Sequence, residues 1–293
     1  MGTRFRAYQL GDAGSSFSYC HDREFILIEA RVTEASAASL LREVRQYGGG
    51  RVSLLHITSW DNDHCDPAQL LDILKNLRPG KVEAPGYPIP DTDSARESLR
   101  LLREYEKAGG TVVAWTPQAM GALPAAREKD AGQDVLLWPY ALSEACNDNS
   151  TARLFRRGHF SVLSLGDLES SEIATRIMGM PSAREADVMI LAHHGANNGF
   201  TSKEFLAAIK PSVAISTSDY GNQFEHPRQE IRDLLFEMEC RLYTTKTGDV
   251  LIHSVDEDPT YFRVVNYKAN SEEVSSTQTF VAKFNLNPGT YAA

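Results

Sequence analysis

The sequence predicts an α+β fold of the αββα kind, with two β-sheets face to face and helices on both outer faces. Three features lead there. Short runs rich in Val, Ile and Leu alternate with amphipathic helical stretches in both halves of the chain. Hydrophobic residues make up 42% of the 293 residues, ample for a core shared by several layers. No low-complexity linker or solenoid-period repeat divides the chain. Residues 1–267 therefore read as one domain, followed by a polar tail, 268–293, with room for one added strand.

In chain order, Phe5–Leu10 and Phe25–Glu29 read as strands around the turn Gly11-Asp12-Ala13-Gly14-Ser15-Ser16. Ala35–Gln46 has helical periodicity and stops at Gly48-Gly49-Gly50. Val52–Ile57 is a strand, and Pro67–Leu77 a helix with Pro in its first turn. Lys81–Ala84 is a short strand before a Pro-rich loop, and Ser94–Ala108 is an amphipathic helix closed by Gly109-Gly110. Thr111–Trp115 and Asp134–Pro139 are strands joined by an exposed polar connection, Pro117–Gln133. Thr151–Phe155 and Phe160–Leu165 form a hairpin around Arg157-Gly158. Leu168–Met178 is a helix, with Asp167 where an N-cap acid would sit. Val188–Ala192 and Val213–Ser216 are strands on either side of the helix Thr201–Ile209, which Thr201 or Ser202 caps. Pro227–Glu239 is a helix, and Arg241–Thr244, Asp249–His253 and Tyr261–Val265 are further strands.

The composition narrows the function. A formal charge of −9 argues against a broad basic surface for non-specific duplex DNA binding, although acidic metal ligands contribute to that count. Two basic clusters, Arg153/Arg156/Arg157 and Arg96/Arg100/Arg103, read as solvated faces. The four cysteines, Cys20, Cys65, Cys146 and Cys240, form no CxxC and read as reduced thiols. No apolar run approaches the roughly 20 residues that span a bilayer, and no signal-peptide pattern opens the chain. The expectation is a cytoplasmic protein without membrane contact.

The segment Leu54–Pro67, LLHITSWDNDHCDP, carries the chemistry. A strand ends, and Asp61, Asp63 and His64 follow within a few residues. Carboxylates at this density repel one another and need a counter-cation. Gly166-Asp167 and His193-His194-Gly195 also follow apolar runs. Acids and imidazoles at three strand ends can converge on one or two divalent ions. Taken singly, each motif is as well explained by a solvated turn, and Asp167 by a helix cap. Their order along the chain favours a metal site with Asp61, Asp63, His64, Asp167, His193 and His194 as candidate ligands.

In these motifs the chain resembles the metallo-β-lactamase-fold hydrolases, and among them the soluble hydrolase domain of ComEC-type DNA-uptake proteins. The matching segments, between residues 4 and 255, are Leu10–Ser15, Leu27–Glu29, Ser59–His64, Asn149-Ser150, Gly166-Asp167, His193–Gly195, Ala214–Ser216, His226-Pro227 and Thr244–Asp249. The resemblance implies the αββα sandwich and Zn²⁺, Mn²⁺ or Mg²⁺ as cofactor. It also implies hydrolysis of a phosphodiester in a nucleic acid or nucleotide by a metal-held hydroxide, with Asp167 bridging two ions and Asp63 orienting the hydroxide. His226 would act as a proton donor or phosphate holder, and Ser59, Trp60, Asn149, Ser150 and Lys246 would lie near substrate or behind the ligands. The chain departs from the pattern at Ser59, where the family carries its first metal histidine, and Asn149 replaces another histidine. The second ion would then have Asp61 and Asp167, helped by Asn149 or Ser59, an oxygen-rich set suited to Mn²⁺ or Mg²⁺. The alternative is a catalytically weak or inactive domain that binds a nucleotide or protein partner.

Overall fold

The computed structural model describes residues 2–123, 133–255 and 258–283. Its strands are β1 (Arg4–Ala7), β2 (Phe17–His21), β3 (Glu24–Ile28), β4 (Leu54–His56), β5 (Lys81–Pro85), β6 (Val112–Trp115), β7 (Val135–Trp138), β8 (Ala152–Phe155), β9 (Val162–Ser164), β10 (Val188–Ile190), β11 (Val213–Ser216), β12 (Arg241–Thr244), β13 (Val250–Val255), β14 (Asp258–Tyr267) and β15 (Val274–Val281). They make a nine-stranded sheet, β15-β14-β13-β1-β2-β3-β4-β5-β6, and a six-stranded sheet, β12-β11-β10-β9-β8-β7. Both are mixed: β3 to β6 and β9 to β12 run parallel, and the remaining neighbours are antiparallel.

Strand alternation sets the layers. On β3, Ile26 and Ile28 face the other sheet, where they meet Phe155, Val162, Val188, Ile190, Val213 and Ile215. Phe25 and Leu27 point the opposite way, against α1 (Glu34–Tyr47), α2 (Pro67–Asp72) and α3 (Asp93–Lys107), through Leu40, Val44, Leu70 and Leu101. The short helix α4 (Pro117–Gly121) lies in the connection after β6. On the six-stranded sheet, Leu163 and Met189 face α5 (Ser171–Met178), α6 (Lys203–Ile209) and α7 (Gln229–Glu237) through Ile177, Phe205, Leu206 and Leu235. The result is an α+β sandwich of four layers. Burial of each such side chain contributes about 1.5–3 kcal/mol.

Several elements differ from the sequence reading for identifiable reasons. β2 is an additional strand, joined to β3 by Asp22-Arg23, both with positive φ (47° and 66°). Such a tight turn normally advertises itself by Asn or Gly. Pro67–Leu77 is helical, but its last turn, Ile73–Leu77, widens to a π-turn and ends at Arg78 with φ 44°. Asp167 is not a helix cap, because α5 begins later and Ser170 accepts from Glu172 N and Ile173 N. The connection read as exposed contains α4 at its start, and residues 124–132 of it lie outside the described residues. β15 lies beyond residue 267 and pairs with β14. Among the described residues no helix is long and apolar enough to cross a membrane.

The cluster Arg153/Arg156/Arg157 is not a solvated face. Arg153 and Arg156 are buried, and Arg153 pairs with Glu83 and with Asp134 (3.4 Å). Arg156 pairs with Glu185 (2.8 Å), and Arg157 with Asp134 (3.0 Å) and Glu24. Arg96 and Arg100, in contrast, are exposed on α3 and pair with neighbouring acids. Burial opposes charge on Glu83, but the Arg153 guanidinium, followed by His56, holds its carboxyl well below the usual range. Because the folded pKa is depressed, the stabilisation is present above the unfolded carboxylate pKa and is lost as pH falls. Arg153→Met should therefore cost about 3 kcal/mol at pH 7, because Glu83 and Asp134 remain buried with less counter-charge. Urea denaturation at pH 7 and pH 4 checks this, with the loss shrinking at the lower pH.

Candidate metal centre

The site forms where loops leave the C-terminal ends of β4, β9 and β10. After β4, the backbone of the acidic loop is held from two sides. Ser15 N donates to Asp63 O (2.9 Å), and Ala30 N donates to His64 O (2.8 Å). The glycine-rich turn must be glycine at Gly14: φ is 125°, and a Cβ there would meet Asp63 O at 2.3 Å. After β9, Gly166 has φ 54° and its carbonyl accepts from His193 N (2.9 Å), while Asp167 N donates to Ser150 Oγ (3.2 Å). After β10 the chain turns through left-handed His193 and His194, with φ of 45° and 56°. Left-handed backbone at two successive non-glycine residues costs energy, and surrounding contacts must fix it. One such contact is Ser216 Oγ, which donates to His194 O (2.7 Å).

These turns bring Asp63, His64, Asp167 and His194 together, with one possible ligand atom from each lying within 4.8 Å of the others. His64 Nε2 lies 2.9 Å from Asp167 Oδ2. His194 Nε2 lies 3.1 Å from Asp63 Oδ2 and 3.7 Å from Asp167 Oδ1. The far nitrogen of each imidazole is engaged. His64 Nδ1 is 3.1 Å from Glu29 Oε1, and His194 Nδ1 is 2.9 Å from Thr217 Oγ1 and 3.2 Å from Thr217 O. Glu29 in turn accepts from Thr58 Oγ1 (2.6 Å) and Thr58 N (3.0 Å). A proton on each Nδ1 leaves each Nε2 lone pair directed into the cluster, the arrangement metal-ligating histidines adopt. Asp167 Oδ1 is buried and makes no hydrogen bond, and His64 Nε2 has Asp167 Oδ2 as its polar neighbour. Two imidazoles, two carboxylates and the unbonded Asp167 Oδ1 fit a divalent cation.

The electrostatics agree. Burial opposes charge on His64, yet Asp167, Glu29 and Asp63 hold its pKa well above the ordinary imidazole value. Burial likewise opposes charge on His194, and the Asp63 hydrogen bond and Asp167 raise it. Burial works against the Asp63 and Asp167 carboxylates, but the imidazoles, His64 foremost, lower both. The carboxylates thus favour positive charge at this cluster, whether a proton or a cation.

The other sequence candidates fall around this cluster. Asp61 lies beside it, its carboxylate accepting from Ser59 Oγ (3.1 Å) and its pKa raised by burial and by Asp167. His193 points away and pairs with Glu169 (2.5 Å). Ser150 sits behind Asp167 as its backbone partner. Asn149 does not face the ligands: its amide bonds to Ser143 N, Ser143 O and Ala145 O. Trp60, 3% exposed, packs in the core under α1–α3 and offers no face for a base. The His226 ring stacks on His194 (centroids 6.1 Å apart). Burial, then His194, His193 and Arg228, push it down to about 4, so it is uncharged at neutral pH. Lys246 lines a separate concavity on β12. The sequence reading assigned no role to Glu29, Thr58 and Thr217, which orient the imidazoles. The one visible signal was an acid ending a strand, and its φ of 70° is not readable from residue type.

Two outcomes follow from this geometry. Gly14→Ala should push the Asp63 loop and weaken metal binding by about tenfold or more, measured by competition with a chromogenic chelator. Metal binding should also release protons, because an ion needs both imidazoles neutral and their pKa values are raised. Affinity should climb with pH until those raised values are passed, with net proton release on binding. Calorimetry in buffers of different ionisation enthalpy counts the protons.

No protein-family model matches the chain. Over 202 residues, 67% of this chain, it is 32% identical to the ComE operon protein 3 of Bacillus subtilis (strain 168), of which it covers 24%. Over 107 residues it is 28% identical to the competence protein ComA of Neisseria gonorrhoeae, covering 36% of this chain and 15% of that protein. The chain thus spans about a quarter or less of the curated relatives it matches. Among solved structures it is similar to Igni18, a novel metallo hydrolase from the archaeon Ignicoccus hospitalis, with a TM-score of 0.54 at 13% identity, covering 86% of this chain and 98% of that one. The chain therefore has a metallo-hydrolase fold, and over two thirds of its length it resembles ComEC-type competence proteins.

Proposed function

We propose that the protein is a metal-dependent phosphodiesterase acting on nucleic-acid strands or nucleotides. The observation that carries this reading is the cluster of Asp63, His64, Asp167 and His194, with both imidazoles oriented from behind and the buried Asp167 Oδ1 left without a hydrogen bond. Its donor set suits Zn²⁺ or Mn²⁺. A bound ion supplies Lewis acidity toward a phosphoryl oxygen and makes water a better nucleophile. Asp63 keeps 36% of its side chain exposed, far more than His64, Asp167 or His194, so its carboxylate is the group of the four best able to orient water and take its proton. His226, neutral at pH 7, can donate a hydrogen bond to a phosphate oxygen beside His194. Similarity to competence proteins supports a DNA strand or nucleotide as substrate, and a net charge of −9 favours short single strands over long duplex.

One observation favours a second reading, a single-ion domain of weak activity that binds a nucleotide or protein partner. Ser59 stands where the family it resembles has a metal histidine, and Asp61 is bonded to Ser59 outside the four-residue cluster.

Elemental analysis with hydrolysis of bis-p-nitrophenyl phosphate separates the two. The expected result is turnover that needs Mn²⁺ or Zn²⁺, with about one ion per chain. Asp63→Ala should lower kcat by about a hundredfold or more and reduce bound metal. Retained metal without any turnover would favour the binding domain. Ser59→His should add a second ion and move preference toward Zn²⁺, since imidazole is a softer donor than hydroxyl. Unchanged stoichiometry would mean that Ser59 does not face the site.

A further inference from the structure

A concavity of about 340 Å³ runs along the edge strand β12, and its lining includes three cations, Arg232, Arg241 and Lys246, and no carboxylate. Lys246 follows the C-terminal end of β12, the end at which the metal-cluster loops leave their strands, and Arg241 stands at the start of β12. The concavity opens where the edge strand β12 of one sheet meets β14 and β15 of the other, and Tyr243 Oη bridges that seam to Gln278 Oε1 (3.2 Å). Among the described residues, none of the three cations is in an ion pair. Arg153 and Arg157, by contrast, are tied to acids inside another concavity, lined by Glu24 and Asp134. The rest of the lining supplies neutral hydrogen-bonding groups. Thr244, Thr247 and Ser276 bring hydroxyls, and Asn266 an amide whose Oδ1 is buried and unbonded. Rotating that amide by half a turn would offer donors to an anion instead.

Two tethers fix this concavity relative to the metal cluster. Arg232 Nε donates to Pro227 O (2.8 Å), next to His226, which leaves its terminal nitrogens unengaged. Thr245, beside Lys246, accepts from Ser218 N (3.3 Å), and Ser218 follows Thr217, which orients His194. Arg241 is steadied over the Tyr243 ring, its Cζ 5.9 Å from the centroid. Cations with free donors, hydroxyls and no competing acid suit the oxygens of a phosphate diester.

We propose that this concavity is a phosphate subsite that holds a backbone phosphate of a single-stranded nucleic acid, another phosphodiester of which lies at the metal cluster. It rests on the phosphodiesterase reading and adds a strand, not a mononucleotide, as the ligand. One phosphate lies at the cluster and a second, displaced along the strand, lies between Arg241 and Lys246. A dinucleotide without terminal phosphates has a single phosphodiester and cannot fill both places.

Fluorescence anisotropy with a labelled single-stranded oligonucleotide of about twelve nucleotides, over a range of salt, tests the subsite. The comparison sets wild type against Arg241→Glu, Lys246→Glu and their glutamine counterparts, with a labelled dinucleotide in parallel. The charge reversals should weaken oligonucleotide binding by about tenfold at 0.1 M salt, and the slope of log K against log salt should flatten by about one. The glutamine variants should show smaller changes of the same sign, and dinucleotide affinity should stay within twofold. Arg241→Lys should keep the wild-type slope. Wild type that does not bind the oligonucleotide, or variants with the wild-type affinity and slope, would overturn the subsite. The failure of the phosphodiesterase reading is separately visible, as wild type that hydrolyses no bis-p-nitrophenyl phosphate with any metal.

Discussion

The open end of the sandwich depends on one constraint. Asp63, Asp167 and Glu29 gather carboxylates around His64 in a site largely closed to water, where their repulsion needs positive charge to offset it. The same carboxylates raise the pKa of both imidazoles, so that protons and a cation compete for one place. The backbone around the site serves the same end. Gly14 lets one turn press against the Asp63 carbonyl, and Gly166, His193 and His194 take left-handed conformations that swing Asp167 and His194 inward. Local strain is thus concentrated where the ligands converge, and the regular sheets behind supply the rigidity that holds it.

The layers were legible in the sequence because short β-branched strands and amphipathic helices carry distinct periods. Strands such as Val188–Ile190 and Val213–Ser216 and helices such as α3 stood within a residue or two of their readings. β2 was not legible, since the turn before β3 uses Asp22-Arg23 where Asn-Gly would have flagged it. Within the site, Asp63, His64, Asp167 and His194 were among the residues picked from their places after strands. What separated His194 from His193 was the rotation of the chain through two left-handed residues, which residue type does not encode. Trp60 and Asn149 misled because polar or aromatic character beside a motif says nothing about which way a side chain points. The arginines near Arg153 misled for the opposite reason: their acid partners, Glu83, Asp134 and Glu185, are distant in sequence.

Those internal arginines also shape the surface. Arg6, Arg31, Arg153 and Arg156 are all buried. A chain already at −9 thus keeps part of its positive charge inside, where it neutralises Glu43, Asp249, Glu83, Asp134 and Glu185. Free cations at the surface gain weight by contrast, since a solvent-facing arginine in an acidic protein is where an anionic ligand meets least repulsion.

The four clustered residues come from opposite parts of the chain. Asp63 and His64 follow a strand of the nine-stranded sheet, and Asp167 and His194 follow strands of the six-stranded one. The nine-stranded sheet also needs β13 from near the end of the chain to join β1 to β14. On a ribosome, the early segment therefore emerges with half of the donor set and an incomplete sheet behind it. Assembly of the centre therefore waits until strands of both sheets have been made and docked. A chain interrupted before β9 and β10 would carry Asp63 and His64 as an ordinary acidic loop, with the other two side chains of the cluster missing.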